Sequence, residues 1–167
     1  MEDFIGRTNA GARTAKDTVC VAICDDEAFM LDLLEEKVKK MLPSAATKRF
    51  SSGRELLEGN TKADILFLDI QMPGMDGMET ARLFHRQQRD TLIVFVTAAS
   101  EYVFQAFDVG AFHYLVKPLE DDKFSEVFGN AVQEIKRRKT GSREPDGKYM
   151  MIQAGGGHTK ILLNDII

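Results

Sequence analysis

The chain has 167 residues, a formal net charge of -4, 44% hydrophobic and 29% charged residues, which fits one well-buried globular domain and little more. That balance offers no basic footprint for a nucleic-acid backbone. No apolar stretch approaches the ~20 residues that cross a bilayer, and the N-terminus lacks the apolar run of a secretory signal.

Residues 1–17 are rich in Gly, Ala, Thr and charge without periodicity, and are expected to be a flexible leader or an expression scar. Apolar runs then alternate with helical patterns from Thr18 to Lys139. The first run, Val19 to Cys24, reads as a strand. Cys20 and Cys24 on one strand would stand ~13 Å apart, beyond the about 4.4–6.8 Å of a disulfide. They are expected to be buried thiols in a reducing, cytoplasmic setting. Leu31, Leu34, Val38 and Met41 mark one helix face, and Pro43 stops that helix. Thr47 to Phe50, with two charges, suits a sheet edge. Leu56 and Leu57 mark a short helix that ends at Gly59. Ile65 to Ile70 is apolar on both faces, as a central parallel strand should be. A helix from Gly77 to Gln87, a strand from Leu92 to Thr97, a helix from Tyr102 to Val109 and a strand from Phe112 to Val116 follow. The last helix carries Phe124, Val127, Phe128, Ala131, Val132 and Ile135 as one stripe. The alternation predicts an α/β fold: a doubly wound, five-stranded parallel sheet with right-handed crossovers and helices on both faces.

Residues 140–148 are charged and turn-forming, and read as a linker. Tyr149 to Ile152 and Lys160 to Leu163 flank Gly155, Gly156 and Gly157, which predicts a short C-terminal β-hairpin. A hairpin this short cannot bury a core alone, so residues 149–167 are expected to open a second domain that is cut off.

The chemistry collects where strands should end. Asp25 and Asp26 close the first strand, Asp69 lies near the end of the third, Thr97 closes the fourth, and Lys117 follows the fifth. Ligands of open parallel sheets bind at the carboxyl ends of the strands. Two unit charges ~4 Å apart cost about 4 kcal/mol at an effective dielectric of 20. Three carboxylates at one sheet end therefore call for a cation, and oxygen-only ligands select a hard ion such as Mg²⁺. Helix capping could occupy Asp25 or Asp26, but Asp69 precedes Ile70, Gln71, Met72 and Pro73 and starts no helix. An Asp carboxylate can attack phosphorus. Thr97 can then donate a hydrogen bond to one phosphoryl oxygen, and Lys117, expected on a partly exposed loop, can offer a point charge to another. His85, His113 and the methionines Met72, Met75 and Met78 carry plainer expectations: His85 solvated on its helix, His113 a strand residue, and the methionines packed under the Asp69 loop.

Asp25-Asp26, the stretch Leu68 to Gly77, Thr97-Ala98 and Lys117-Pro118 together resemble the receiver domain of two-component response regulators over residues 18–139. The resemblance implies a stoichiometric phosphoacceptor rather than an enzyme. Asp69 would accept a phosphoryl group from a sensor histidine kinase. Mg²⁺ would be bound by Asp26 directly, by Asp25 mainly through water, by Asp69, and by the backbone carbonyl of Gln71. Thr97 and Tyr114 match the switch hydroxyl and switch aromatic, with Tyr114 expected to follow Thr97 inward on phosphorylation. The flavodoxin-like strand order 2-1-3-4-5, a cis Lys117–Pro118 bond, and a homodimer through the face of the fourth helix come with it. Ile23 to Glu27 and Ala106 to Pro118 are further similar to receivers of the LytTR class. Gly155 to Lys160 with Leu163 to Ile167 resembles the opening of a LytTR DNA-binding domain. DNA contact would then run through residues other than these, with no membrane partner and with transcription as output.

Three other readings are weighed against this one. A haloacid-dehalogenase-type phosphatase would place an acid/base Asp two residues after the nucleophile, where this chain has Gln71. A flavodoxin-like carrier would present Ser, Thr and Gly to a cofactor phosphate, whereas Cys24 to Glu27 would repel one. A receiver serving only as an unphosphorylated dimerisation module would leave the complete set of site residues unexplained.

Overall fold

Nearly continuous burial of four apolar strands organises the computed structural model, which describes residues 18–139 and the backbone of 149–154 and 157–162. The expectations placed on residues 1–17, 140–148, 155–156 and 163–167 lie outside the described residues. Strands β1 (Cys20–Cys24), β2 (Ala46–Phe50), β3 (Ile65–Leu68), β4 (Leu92–Thr97) and β5 (His113–Val116) form a parallel sheet in the order β2-β1-β3-β4-β5. Between them lie α1 (Ala28–Met41), α2 (Gly53–Glu58), α3 (Gly77–Gln87) and α4 (Val103–Asp108), and α5 (Asp121–Lys139) follows β5.

Successive strand residues point to opposite faces, so each strand feeds two cores. Ile23, Phe67, Val94, Val96 and Leu115 pack with Leu31, Leu34 and Val38 of α1 and with Phe124, Val127, Phe128 and Ala131 of α5. Cys24, Leu66, Leu68, Ile93, Phe95 and Tyr114 pack on the other side with Leu56 of α2, Ala81 and Phe84 of α3 and Ala106 and Phe107 of α4. Burial on both faces explains why β3 and β4 carry no polar alternation. β2, the edge, is mostly exposed, and Arg49 there pairs with Asp32 and Glu35 of α1.

Local signals set the helix starts. The Ser52 hydroxyl accepts from Glu55 N at the head of α2, and Asp76 Oδ1 accepts from Glu79 N at the head of α3. Two expectations fail. Met41 belongs to the apolar stripe by spacing but is 40% exposed; it ends α1, and Leu42 packs against the core in its place. His85 is half-buried rather than solvated, and its Nδ1 is buried without a hydrogen-bond partner among the described residues.

Two further strands, β6 (Tyr149–Ala154) and β7 (Gly157–Leu162), continue the sheet past β5.

Candidate functional site

Main-chain bonds beyond the strand ends place the polar residues. Asp25 N donates to Phe50 O, Asp69 N to Cys24 O and Lys117 N to Thr97 O, so the ladder that holds the sheet also fixes the positions of its first polar residues. Because β3 lies between β1 and β4, Asp69 stands at the centre, with Asp25 and Asp26 on one side and Thr97 and then Lys117 on the other.

The three carboxylates do converge. One oxygen from each of Asp25, Asp26 and Asp69 lies within 4.8 Å of the others. Asp25 and Asp69 are only 1% and 5% exposed, whereas Asp26 faces solvent. Asp25 Oδ1 also accepts from Glu27 N at 2.9 Å, an Asx turn ahead of α1; the N-cap of α1 is Glu27, without a side-chain cap bond, so neither Asp25 nor Asp26 caps the helix. Asp69 Oδ1 accepts from Gln71 N at 3.3 Å, which turns the Gln71 peptide beside the cluster.

The loop after Asp69 returns tightly upon itself. Gly77 N donates to Ile70 O at 2.7 Å, and a Cβ at Gly77 would stand 2.1 Å from Asp69 O. Gly74 takes φ +78°, a left-handed turn position that glycine adopts without steric cost. Met72 and Met78 are buried beneath this loop and Met75 is half-buried, as expected of packing residues.

Lys117 is engaged in a way the sequence does not reveal. Its Nζ lies 3.1 Å from Asp25 Oδ2, 3.4 Å from Asp69 Oδ2 and 3.5 Å from Glu27 Oε1. Its side chain is mostly covered, with three carboxylates around the ammonium. Glu27, absent from the sequence-derived site, joins it here; the signal was the unbroken acidic run Asp25-Asp26-Glu27.

The electrostatics follow from burial. Desolvation pushes the Asp25 and Asp69 carboxyls above the ordinary carboxylate value, although Lys117 pulls both back. Burial alone would lower Lys117, but the charges of Asp69 and Asp25 outweigh it and hold the ammonium above its usual value. Burial and then Asp25 push the Cys24 thiol up to about 12, so this sulfur stays protonated and inert. It touches Ser52 O and Met72 Sδ, and both cysteines are free thiols.

Thr97 is fully buried, and its Oγ1 accepts from Ala99 N at 3.3 Å. Tyr114 is buried too, with its hydroxyl donating to the Ala99 carbonyl, and burial pushes its phenol up to about 12. The ring is thus packed beside the Thr97 loop. The Lys117–Pro118 bond is cis.

The cluster suits a hard divalent cation. Its donors are oxygens only, two are desolvated, and Lys117 is the cation that contacts Asp25 and Asp69, leaving the group net negative. No helix among the described residues is long and apolar enough to cross a membrane.

Comparison with known proteins agrees with this arrangement. The family model of the response regulator receiver domain matches residues 21–128. An uncharacterised response regulatory protein of Vibrio cholerae is 30% identical over 131 residues, covering 76% of this chain and 50% of that protein. The positive alginate biosynthesis regulatory protein of Pseudomonas aeruginosa is 34% identical over 119 residues, covering 66% of this chain and 46% of that one. The chain thus spans about half the length of these curated relatives. Among solved structures, the response regulator TrrA of Thermotoga maritima, in complex with Mg²⁺–BeF, superposes with a TM-score of 0.62 at 26% identity, covering 68% of this chain and 99% of its own. The sheet order, the convergence of three aspartates at its carboxyl end and the matched family model lead to one conclusion: this chain belongs to the receiver-domain family of two-component response regulators.

Proposed function

We propose that the chain is a phosphorylation-switched receiver in which Asp69 is the phosphoacceptor. The observation that carries this reading is the position of Asp69: central, desolvated, and within reach of two aspartates and one lysine. An Asp69 carboxylate oxygen attacks phosphorus of a phosphohistidine on a sensor kinase. The new O–P bond replaces the P–N bond, and histidine leaves. Thr97 Oγ1 and Lys117 Nζ take the phosphoryl oxygens, so the Lys117 contact to Asp69 is exchanged for one to the new group. Asp25, Asp26, Asp69 and the Gln71 carbonyl would hold Mg²⁺, which when bound offsets the charge of the carboxylates and the incoming phosphoryl group.

Each event modifies one residue stoichiometrically, and Gln71 supplies no acid/base group for rapid hydrolytic turnover. We place the protein in the cytoplasm, where such kinases present their phosphohistidine. The output we assign is transcriptional, through a LytTR-type DNA-binding domain that Tyr149 onward would open, and through a homodimer on the α4 face. The regulatory name of the Pseudomonas relative and the half-length match support this reading.

The test is intact-mass measurement after incubation with a small phosphodonor. Wild type should gain one phosphoryl group in Mg²⁺ and Asp69→Asn none. Equal modification in chelator would overturn the assignment of the metal, and modification of Asp69→Asn that of the acceptor.

A further inference from the structure

In the described sheet β5 is not an edge. β6 lies parallel to it, with Met151 beside His113, Ile152 beside Tyr114 and Gln153 beside Leu115. β7 returns antiparallel along β6, from Gly157 beside Ala154 to Leu162 beside Tyr149. The full order is β2-β1-β3-β4-β5-β6-β7.

The local chemistry suits these positions. β6 carries Met150, Met151 and Ile152 in succession and is paired along both of its edges. β7 carries His158, Thr159 and Lys160, and a lysine on an outer strand discourages further pairing. Ala154 pairs with Gly157, which closes the β6–β7 ladder. The path also suits the direction of β6. Lys139, at the end of α5, reaches the Thr18 carbonyl and the Asp64 carboxylate, which precede β1 and β3. α5 therefore finishes at the sheet end where β5 begins. β6, running parallel to β5, begins at that same end; with α5 on the α1 face, the β5–α5–β6 crossover has the opposite hand to the right-handed steps before it.

We infer that Tyr149–Ala154 is an intramolecular sixth strand that closes the β5 edge, and that the segment after α5 is joined to the receiver by main-chain pairing. An open edge strand is a template for another chain; here the chain fills its own. The junction also lies on the strand most directly tied to the acidic site. From β5, the Tyr114 hydroxyl reaches the Ala99 carbonyl, and just past it Lys117 N bonds Thr97 O while its side chain bonds Asp25 and Asp69. A shift of β5 at the site is a shift of the strand on which the next segment is paired.

Amide hydrogen exchange on the whole chain tests this independently of phosphoryl chemistry. Amides of β6 should be protected. In Ile152→Pro, which removes a ladder donor, and in a chain whose residues 149–154 are a glycine–serine tract, protection across His113–Val116 should fall at least about tenfold while that of Val21–Cys24 holds. The inference is overturned if β6 amides exchange as unstructured chain in wild type, or if β5 protection is indifferent to both changes. It is also overturned if β6 protection disappears on dilution, since the strand would then come from a second copy.

Discussion

The Lys117 ammonium lies 3.4 Å from Asp69 Oδ2 and shares its charge with Asp25 Oδ2 at 3.1 Å. One cation thus serves two desolvated carboxylates, with a third, Asp26, close by. The balance is negative, and every expectation for the site turns on what completes it.

Lys117→Ala should leave Asp25 and Asp69 buried without their cation. We expect a loss of about 1–3 kcal/mol in the metal-free chain, the range for stranding a buried partner, and partial recovery in Mg²⁺. Urea unfolding with and without the ion measures both. The variant should still accept a phosphoryl group but shift less toward the active conformer. A full shift would remove Lys117 from the switch.

The raised Asp25 and Asp69 carboxyls give a signed pH dependence. Between the ordinary aspartate value and the raised folded value, the native state holds protons that the unfolded state has lost. Stability from these groups therefore falls as pH rises through that window. Metal-free Asp69→Asn should be more stable than wild type at neutral pH, on the order of 1 kcal/mol. That advantage should shrink as pH drops toward the ordinary carboxylate range, and Mg²⁺ should reverse it at neutral pH. Thermal melts of the two proteins at several pH values read the difference directly, because the remaining carboxylates cancel.

Gly77→Ala should damage fold and site together. The new Cβ would meet Asp69 O at 2.1 Å and Ile70 Cα at 2.6 Å, both backbone atoms that cannot swing aside. We expect about 1–3 kcal/mol of destabilisation, typical of overpacking, and weaker Mg²⁺ binding as the Asp69 loop lifts. Calorimetric titration with Mg²⁺ and a denaturation curve check the two effects separately.

For α4, Phe107 is core, Tyr102 and Val103 are half-buried, and Phe104 is 66% exposed. If copies associate through this face, Tyr102→Glu should weaken the phosphorylated dimer by tenfold or more, about 1.4 kcal/mol, without altering β5 hydrogen exchange. Sedimentation with and without a phosphoryl mimic measures it. Equal affinity in both states would place the contact elsewhere.

Much of the fold was legible because its signals are local. The apolar runs ending in Cys24, Ile70, Thr97 and Val116, and the helical stripes between them, follow from periods of 2 and 3.6 that need no distant partner. The site residues were legible for the same reason: Asp25, Asp26, Asp69, Thr97 and Lys117 each stand at or just after an apolar run, and parallel pairing carries such positions to one end of the sheet. What tertiary structure decided depends on distances between segments far apart in the chain. Lys117 and Asp25 are 92 positions apart, and only their approach in space shows that the lysine sits among carboxylates. The bond from Tyr114 to the Ala99 carbonyl, the exposed end of α1 at Met41 and the half-buried His85 likewise depend on which neighbour fills the space beside them. The pairing of β6 with β5 is the clearest case: the residues mark a hairpin, but only the assembled sheet shows which edge it joins, and the end at which α5 finishes fixes only its direction.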